Sequence, residues 1–364
     1  MSSVGRERRR TATIRDVALA SGLSTATVSR VLNGDASVSP ATAGKVREEI
    51  ERLGYTMNRV ARSLKKGSTR MVGVIAPELS GDFFMLLAES MDRELSAFGY
   101  SLIVCSSWES AEEEAKRVRL LEERLVDGIV LIPATGSGAG VALARAAAGE
   151  ATPLVLVDRL AQGLEADAVL VDNEGGAYAA TSALAAEGLA RGRRRMGFIG
   201  GSLDVSTARE RYEGWRRAML DAGLEIEAAF TSFAGLHVAS GYEALRSMRS
   251  RPDAPEAYFL VNAYVHVGAT NYLVSEEEPS RASRVAFAAF DEMPYAPLLR
   301  FCRYSLSQPV PEMGVSAARL LLARMAGARG TPFETKRLKP RLVRHDRPAF
   351  RISATASAEE AHDG

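Results

Sequence analysis

The sequence predicts an N-terminal all-α head followed by an α/β body of two doubly wound parallel-sheet subdomains. Residues 13–54 contain three short helical patterns, each preceded by a capping residue. From residue 71 onward, apolar runs of strand length alternate with helical segments, a pattern typical of parallel sheets covered on both faces. The length of 364 residues, with 46% hydrophobic and 25% charged side chains, is enough for two or three globular domains and excludes a disordered chain.

Charge is unevenly distributed along the chain. The whole sequence has 46 Lys and Arg against 45 Asp and Glu, for a formal charge of +1. Residues 1–70 nevertheless carry +8, which leaves −7 for residues 71–364. A basic head on an acidic body predicts that the head alone binds a polyanion such as DNA.

The head has helix boundaries that can be read from their caps. Thr13 begins a capping box, Ser24 precedes a helix predicted over residues 25–32, and Ser39 precedes a third helix that ends at Gly54. A short glycine-containing turn joins the first two helices. This arrangement is helix-turn-helix geometry.

The polar face of the second helix points to contact with DNA. Small and hydroxyl side chains allow close approach to the major groove, and an arginine is long enough to reach the edge of guanine. The residues on this face are Thr25, Ala26, Thr27, Ser29 and Arg30. Spacing and charge alone leave a second interpretation open, a solvated helix in a small bundle.

The body is predicted from its apolar runs. Strands are expected at residues 72–76, 101–105, 128–132, 154–157, 168–171, 196–199, 257–261 and 285–290. Helices are expected at residues 84–98, 112–125, 176–190, 207–222 and 238–249. The uncharged run 257–275 contains several polar residues and is interpreted as a strand followed by a buried helix, not as a membrane span. Ligands of such folds bind beyond the carboxyl ends of the strands.

The head resembles the DNA-binding domain of the LacI/GalR family of transcriptional regulators. The resemblance rests on residues 13–18, 24–33, 38–40, 53–55 and 58–64. It places Thr25 and Ala26 at base-reading positions and Arg30 at the position of a base-contacting arginine. The residues assigned to DNA binding are Thr13, Ser24, Thr25, Ala26, Thr27, Ser29, Arg30, Asn33, Asn58, Arg59, Ala61 and Leu64.

The segment from Asn58 to Leu64 resembles the hinge helix of that family. The resemblance implies that it folds only on DNA, in the minor groove, where Leu64 would wedge between base pairs and kink the duplex. Without the resemblance, a flexible basic linker is the alternative. The expected divisions are a basic flexible tail at 1–12, a helix-turn-helix domain at 13–57 and a hinge with linker at 58–70.

The body resembles the same family, and periplasmic sugar-binding proteins, over nearly its whole length. Segments 73–75, 126–129, 157–159, 171–173, 197–201, 290–291 and 307–309 fall in family order and spacing. The resemblance implies an effector-binding and dimerisation domain at 71–352, in which the chain crosses between subdomains near residues 171, 300 and 330. The N-subdomain would comprise about 71–170 and 301–330, the C-subdomain about 171–300 and 331–352, and residues 353–364 a flexible tail.

The resemblance also places an effector in the cleft between the subdomains. The implied contacts are Phe83, Phe84, Asp158, Arg159, Arg211, Asn262 and Asp291. An aromatic wall suits a sugar ring or a base, and an arginine opposite a carboxylate suits a polyol or an anion. Arg211 as a surface arginine and Asp291 as a turn cap are the alternatives.

Three departures from the family pattern predict a pocket more apolar than a typical monosaccharide site. Val205 stands where some relatives have a second polar ligand, Leu236 where an aromatic residue often closes the pocket, and Ala263 where an aspartate usually follows Asn262.

The sequence contains few of the motifs that indicate an enzyme. The chain has no G-x-S-x-G or Walker motif, and its four histidines and two cysteines have no metal or redox spacing. The glycine-rich residues 136–140 are interpreted as a loop and not as a dinucleotide site. We therefore expect no enzyme, no cofactor and no metal, with Cys105 and Cys302 as buried free thiols. A sugar-processing enzyme fused to a DNA-binding head remains the distant alternative.

These observations predict a cytoplasmic, homodimeric repressor that binds a pseudo-palindromic operator on double-stranded DNA and responds to a sugar or sugar derivative. A nucleobase or sugar phosphate as effector, and action as an activator, are the alternatives. A secretory signal is not evident, and residues 353–364 lack a leucine heptad, so a dimer is expected and not a tail-zippered tetramer.

Overall fold

The computed structural model describes residues 12–55, 68–148, 152–293, 301–328 and 331–345. It divides the chain into two units, with the boundary between Thr69 and Arg70. Each unit has its own hydrophobic core.

The described residues of the first unit form three helices, α1 (Ile14–Ser21), α2 (Thr25–Leu32) and α3 (Pro40–Leu53). Their predicted caps are confirmed. Thr13 forms a capping box at α1, the Ser24 hydroxyl accepts a hydrogen bond from the amide of Thr27 at 3.1 Å, and Ser39 caps α3 in the same way. Valines from the three helices, including the fully buried Val28, form the core.

The second unit contains two six-stranded sheets. The first sheet is built from β1 (Met71–Ala76), β2 (Ser101–Ser106), β3 (Gly128–Leu131), β4 (Leu154–Val157), β5 (Asp167–Val171) and β11 (Thr335–Leu338), in the order β11-β5-β4-β3-β1-β2. All its neighbouring strands are parallel. Helices α4 (Asp82–Ser96), α5 (Ala111–Glu123) and α6 (Ala139–Ala148) follow its first three strands.

The second sheet repeats this arrangement. It is built from β6 (Met196–Ile199), β7 (Thr231–Ser232), β8 (Ala257–Leu260), β9 (Ala286–Phe290), β10 (Cys302–Ser307) and β12 (Arg341–Arg344), in the order β12-β10-β9-β8-β6-β7. Only the pair β10–β12 is antiparallel. The remaining helices are α7 (Asn173–Leu189), α8 (Ser206–Asp221), α9 (Val238–Arg249), α10 (Ala263–Ser275), the short α11 (Pro279–Ala282) and α12 (Val310–Met325).

Aromatic packing and close helix contact fill the interior of the second sheet. Phe198 stacks on Phe259 with ring centroids 5.9 Å apart, and the fully buried Trp215 lies 5.3 Å from Phe198. Gly268 lets α10 approach α9, because a Cβ at that position would lie 1.9 Å from the Val238 carbonyl oxygen.

The crossovers between the subdomains differ in part from those expected. The first lies at residue 172, between β5 of one sheet and α7 beside the other, as expected. Strand β10 pairs with β9 in the second sheet and β11 pairs with β5 in the first. The second and third crossovers therefore lie at residues 308–309 and 339–340, later than the expected positions near 300 and 330.

The missed strand β10 explains the shift. Its sequence, Cys-Arg-Tyr-Ser-Leu-Ser, has no apolar run. Arg303 can nevertheless be buried in this strand, because Glu187 of α7 lies 3.0 Å away and neutralises its charge. The charged β11 and β12 lie at sheet edges, where no second strand covers them. Cys302 is buried as expected, but Cys105 is half-buried because β2 is also an edge strand.

Within the described residues, no helix is long and apolar enough to cross a membrane. The same part of the chain contains no group of three or more His, Cys, Asp or Glu side chains placed to hold a metal ion.

Candidate functional site

A cleft of about 1050 Å³ lies between the two subdomains, at the carboxyl ends of both sets of strands. Its walls come from the loops that follow β1, β4, β8, β9 and β10 and from the first turns of α4, α8 and α9. All seven residues that the sequence assigned to an effector line it: Phe83, Phe84, Asp158, Arg159, Arg211, Asn262 and Asp291.

Two aspartates occupy equivalent positions in the two subdomains. Asp158 directly follows β4, Asp291 directly follows β9, and these strands are third from the same edge of their sheets. Both residues have left-handed backbone conformations, with φ of 64° and 71°. Such conformations are uncommon for residues other than glycine and cluster at functional sites. The repeat of the fold thus presents two carboxylates to one cleft.

Arg211 of α8 is buried at the base of the cleft and is not a surface arginine. Its Nε donates to Asn173 Oδ1 and its Nη1 donates to the Val261 carbonyl oxygen, both at 2.8 Å. The guanidinium carbon lies 3.6 Å from the centroid of the Phe290 ring. Burial lowers the pKa of Arg211, whereas Asp291 and Asp158 act in the opposite direction.

The carboxylate of Asp291 is held by two protein donors. Its Oδ1 accepts a hydrogen bond from Gln308 Nε2 at 2.5 Å, and its Oδ2 accepts one from the amide of Ala263 at 3.1 Å. Gln308 lies at the second crossover. Sequence reasoning missed both Gln308 and Asn173, although each stands within a family motif that the sequence showed.

Asp158 is only partly satisfied. Its side chain is about 93% buried, and its Oδ2 lies 3.8 Å from Arg159 Nε. Its Oδ1 has no hydrogen-bond partner among the described residues. Burial raises the pKa of this carboxyl, and the nearby Arg211 and Arg159 oppose that shift.

Arg159 belongs largely to the wall of the cleft. It forms a bidentate ion pair with Glu109, with distances of 2.9 and 3.1 Å, and its Nη1 also donates to the Pro133 carbonyl oxygen. Burial acts to lower the pKa of Arg159, but the hydrogen bonds and charge of Glu109 raise it above its ordinary value. Of the three guanidinium nitrogens of Arg159, only Nε lacks a hydrogen-bond partner among the described residues.

Asn262 has both of its polar groups engaged by the protein. Its Oδ1 caps α10 by accepting from the amide of Val265, and its Nδ2 donates to the Leu236 carbonyl oxygen, each at 2.9 Å. Leu236 and Ala263 line the cleft as expected, whereas Val205 is buried at the start of α8 and does not line it.

Phe83 and Phe84 form the aromatic part of the wall. The two half-buried rings lie at the start of α4, 5.2 Å apart and at 80° to each other. One ring face is thereby available to a planar or ring-shaped ligand.

A buried acid lies near Arg159 and Glu109. Glu114 of α5 accepts a hydrogen bond from the amide of Ala134 at 2.6 Å, and its other oxygen has no partner among the described residues. Burial raises the pKa of Glu114 to about 7, although the Ala134 amide and Arg159 act to lower it.

We expect Glu114→Gln to remove a pH-dependent loss of stability. An ordinary glutamate in the unfolded chain loses its proton near pH 4.5, while folded Glu114 keeps it to about 7. As the pH rises from about 4.5 to about 7, the free energy of unfolding of the wild-type protein should therefore fall by about 3 kcal/mol, and it should stay low at higher pH. Urea unfolding followed by tryptophan fluorescence reports on the second unit alone, since both tryptophans, Trp108 and Trp215, lie there. Glu123→Gln, an exposed change on the same helix, should keep the wild-type pH dependence.

The subdomains touch each other across the cleft. The amide of Gly136 donates to Asp204 Oδ2 at 3.0 Å, and the amide of Leu160 donates to Ser206 Oγ at 2.9 Å. A Cβ at Gly136 would lie 2.3 Å from the Asp204 carbonyl oxygen. The structure therefore brings the loops after β3 and β6 into direct contact.

In the first unit, the predicted DNA-reading residues of α2 lie opposite its core. Thr25, Ala26 and Arg30 are exposed, and Thr27 and Ser29 are half-buried. Thr13, Ser24 and Asn33, also assigned to DNA, are exposed. The hinge residues assigned to DNA lie outside the described residues: Asn58, Arg59, Ala61 and Leu64.

Comparison with known proteins agrees with both units. Residues 13–58 match the model for bacterial regulatory proteins of the lacI family. Residues 69–300 match the model for periplasmic binding proteins and the sugar-binding domain of the LacI family. The chain belongs to the LacI family. It is a DNA-binding transcriptional repressor with an effector-binding domain.

Individual LacI-family relatives align over most of this regulator. The ribose operon repressor of Escherichia coli K12 is 30% identical over 315 residues, which is 86% of this chain and 93% of that protein. The structure of a putative ribose operon repressor from Burkholderia thailandensis is 27% identical, covers 76% of this chain and 99% of its own, and has a TM-score of 0.65. A CelR–cellobiose complex is 28% identical, covers 92% and 99%, and has a TM-score of 0.66.

Proposed function

We propose that this LacI-family protein represses transcription as a homodimer on a pseudo-palindromic operator, under the control of a sugar bound in the cleft. We place it in the cytoplasm and assign it no catalytic activity. Residues 13–57 bind the operator half-site, and residues 58–70 link this domain to the effector-binding domain.

One observation carries the choice of a sugar. Three buried polar atoms of cleft residues lack a hydrogen-bond partner among the described residues: Asp158 Oδ1, Gln308 Oε1 and Arg159 Nε. Buried polar groups are rarely left unpaired, since each costs about 1–3 kcal/mol. Two of these atoms accept and one donates. A polyol offers partners of both kinds, because each sugar hydroxyl both donates and accepts.

The aromatic wall and the names of relatives agree with this choice. The rings at the start of α4 offer an apolar face beside the polar atoms, as a sugar ring requires. The ribose operon repressor and the CelR–cellobiose complex are named for sugars. A thermal-shift screen of pentoses, hexoses, disaccharides, sugar phosphates and nucleobases tests the proposal, because a ligand raises the melting temperature by mass action. Stabilisation by nucleobases alone would contradict it.

The contacts across the cleft couple sugar binding to the affinity for the operator. A sugar that binds both subdomains favours the arrangement in which the loops after β3 and β6 touch. The effector controls the operator only through its difference in affinity between this arrangement and a more open one. On the DNA side, we assign base contacts to Thr25, Ala26 and Arg30. We assign minor-groove contacts to Asn58, Arg59 and Ala61, with Leu64 as the wedge.

We expect Arg30→Ala to relax the sequence preference of the repressor by about 1–3 kcal/mol, because an arginine that bonds the edge of guanine discriminates between bases. Competitive binding of operator and scrambled DNA, measured by fluorescence anisotropy, reports this preference. Arg52→Ala is the matched control, since it removes one charge from an exposed position on α3, where Arg52 pairs with Glu49 at 2.7 Å. If both variants weakened operator and scrambled DNA equally, Arg30 would serve only as a phosphate contact.

A further inference from the structure

The wall of the cleft carries an excess of negative charge. Five of its acids are buried or half-buried, namely Glu78, Glu109, Asp158, Asp291 and Glu292. Among the described residues, two arginines, Arg159 and Arg211, line the same space. The acids at the rim, Asp82 and Glu89, are exposed, so solvent screens their charges.

Ion pairs account for only part of this excess. Glu109 pairs with Arg159, and Glu292 lies 3.4 Å from Arg341 on the neighbouring strand β12. Glu78, Asp158 and Asp291 then remain. In the described part of the cleft they are balanced by Arg211 and by the Nε of Arg159, which lies 3.8 Å from Asp158 Oδ2. Unlike Asp291, Asp158 keeps one buried oxygen free of any partner among the described residues.

The negative region extends from Asp158 to the mouth of the cleft. There, Ser80 Oγ lies 3.4 Å from Glu78 Oε2 and 3.5 Å from the hydroxyl of Tyr264 on the other subdomain. The pKa of Tyr264 is raised first by burial and then by Glu78 and Asp82, while its hydrogen bond with Ser80 opposes the shift. A ligand in the cleft therefore faces the carboxylates of both Glu78 and Asp158.

We propose that the effector is a cationic polyol, a sugar that carries a primary amine, and that the cleft rejects phosphorylated sugars. This rests on the proposed function, since it names the class of sugar. An ammonium group supplies three hydrogen-bond donors and one positive charge to a site with unpaired acceptors. A phosphate brings further negative charge among desolvated carboxylates, which repels it.

Isothermal titration calorimetry on the full-length protein tests this with matched ligands. For glucose, galactose and mannose, the parent sugar, its 2-amino derivative and its 6-phosphate are compared. The amino sugar of at least one series should bind tenfold or more tighter than its parent, and its advantage should shrink as salt screens the charge. The 6-phosphates should give no heat of binding at millimolar concentration.

Two variants separate charge from shape. Glu78→Gln should lower the affinity for the amino sugar several-fold more than the affinity for the parent sugar. Glu89→Gln, an exposed change at the rim where Glu89 pairs with Arg93 at 3.1 Å, should alter neither affinity.

The outcomes distinguish this inference from the proposed function. Parent sugars that bind as tightly as their amino derivatives, or phosphates that bind as well as either, would overturn the inference and leave a sugar-controlled repressor. Binding of none of the nine sugars, with nucleobases stabilising the protein in the thermal-shift screen, would overturn the proposed function and the inference together.

Discussion

Replacing Arg211 with alanine is expected to abolish control by the effector and to destabilise the second unit by about 3–5 kcal/mol. The residue is 5% exposed, its guanidinium lies over the ring of Phe290, and the charges of Asp291 and Asp158 act on it. Alanine would remove the positive charge that acts on the buried Asp158 and the half-buried Asp291. It would also remove the donor to Asn173.

This experiment separates the two units of the repressor. Because residues 12–55 have their own core, operator binding at a temperature where the variant is folded should persist, while release or tightening by the sugar disappears. Urea unfolding gives the loss of stability, and calorimetry gives the loss of sugar affinity. Arg216→Ala is the matched control on α8, since Arg216 is exposed and pairs only with Glu213 among the described residues. Sugar binding by Arg211→Ala with wild-type affinity would refute the assignment.

The head could be predicted closely because local interactions decide its structure. The caps at Thr13, Ser24 and Ser39 are each bonded within a few residues of the chain, so a single sequence contains the information that sets the helix ends. The predicted α2, residues 25–32, is confirmed at both ends.

The body could be predicted where its strands are apolar, and not where distant charges compensate each other. The strands β1, β3, β4, β5, β6, β8 and β9 are buried along almost their whole length and show as apolar segments. Strand β10 remained hidden because its Arg303 is neutralised by Glu187, 116 residues earlier in the chain. No pattern within β10 indicates that partner.

The cleft shows the same limit for side chains. Its members could be named from the resemblance, but how each is bonded depends on the crossovers. Gln308 reaches Asp291 because the chain changes subdomain there. Asn262 was predicted as a ligand contact, whereas the structure engages both its polar groups in capping α10 and in bonding the Leu236 carbonyl. The side-chain oxygen of an asparagine ahead of a helix is drawn to the free amides of its first turn.

Gly136→Ala is expected to lower the apparent affinity for the effector by about ten- to hundredfold. The added Cβ would lie 2.3 Å from the Asp204 carbonyl oxygen, so the loops after β3 and β6 must separate. Overpacking of this kind typically costs about 1–3 kcal/mol. Only the arrangement in which the subdomains touch is destabilised by this amount. Its population therefore falls, and the apparent affinity for the effector falls with it.

Gly140→Ala is the control, because a Cβ there meets its nearest atom, Ala115 Cβ, at 3.4 Å within one subdomain. Calorimetry with the sugar that the screen identifies should show wild-type affinity for Gly140→Ala and a loss for Gly136→Ala. Equal affinities would mean that the contact between Gly136 and Asp204 is not needed for binding.

Since linkage between effector and DNA is reciprocal, the operator affinity of Gly136→Ala without sugar also shows whether the sugar acts as an inducer or as a corepressor. Tighter operator binding would mean that closing the cleft releases DNA, so the sugar is an inducer, and weaker binding would make it a corepressor.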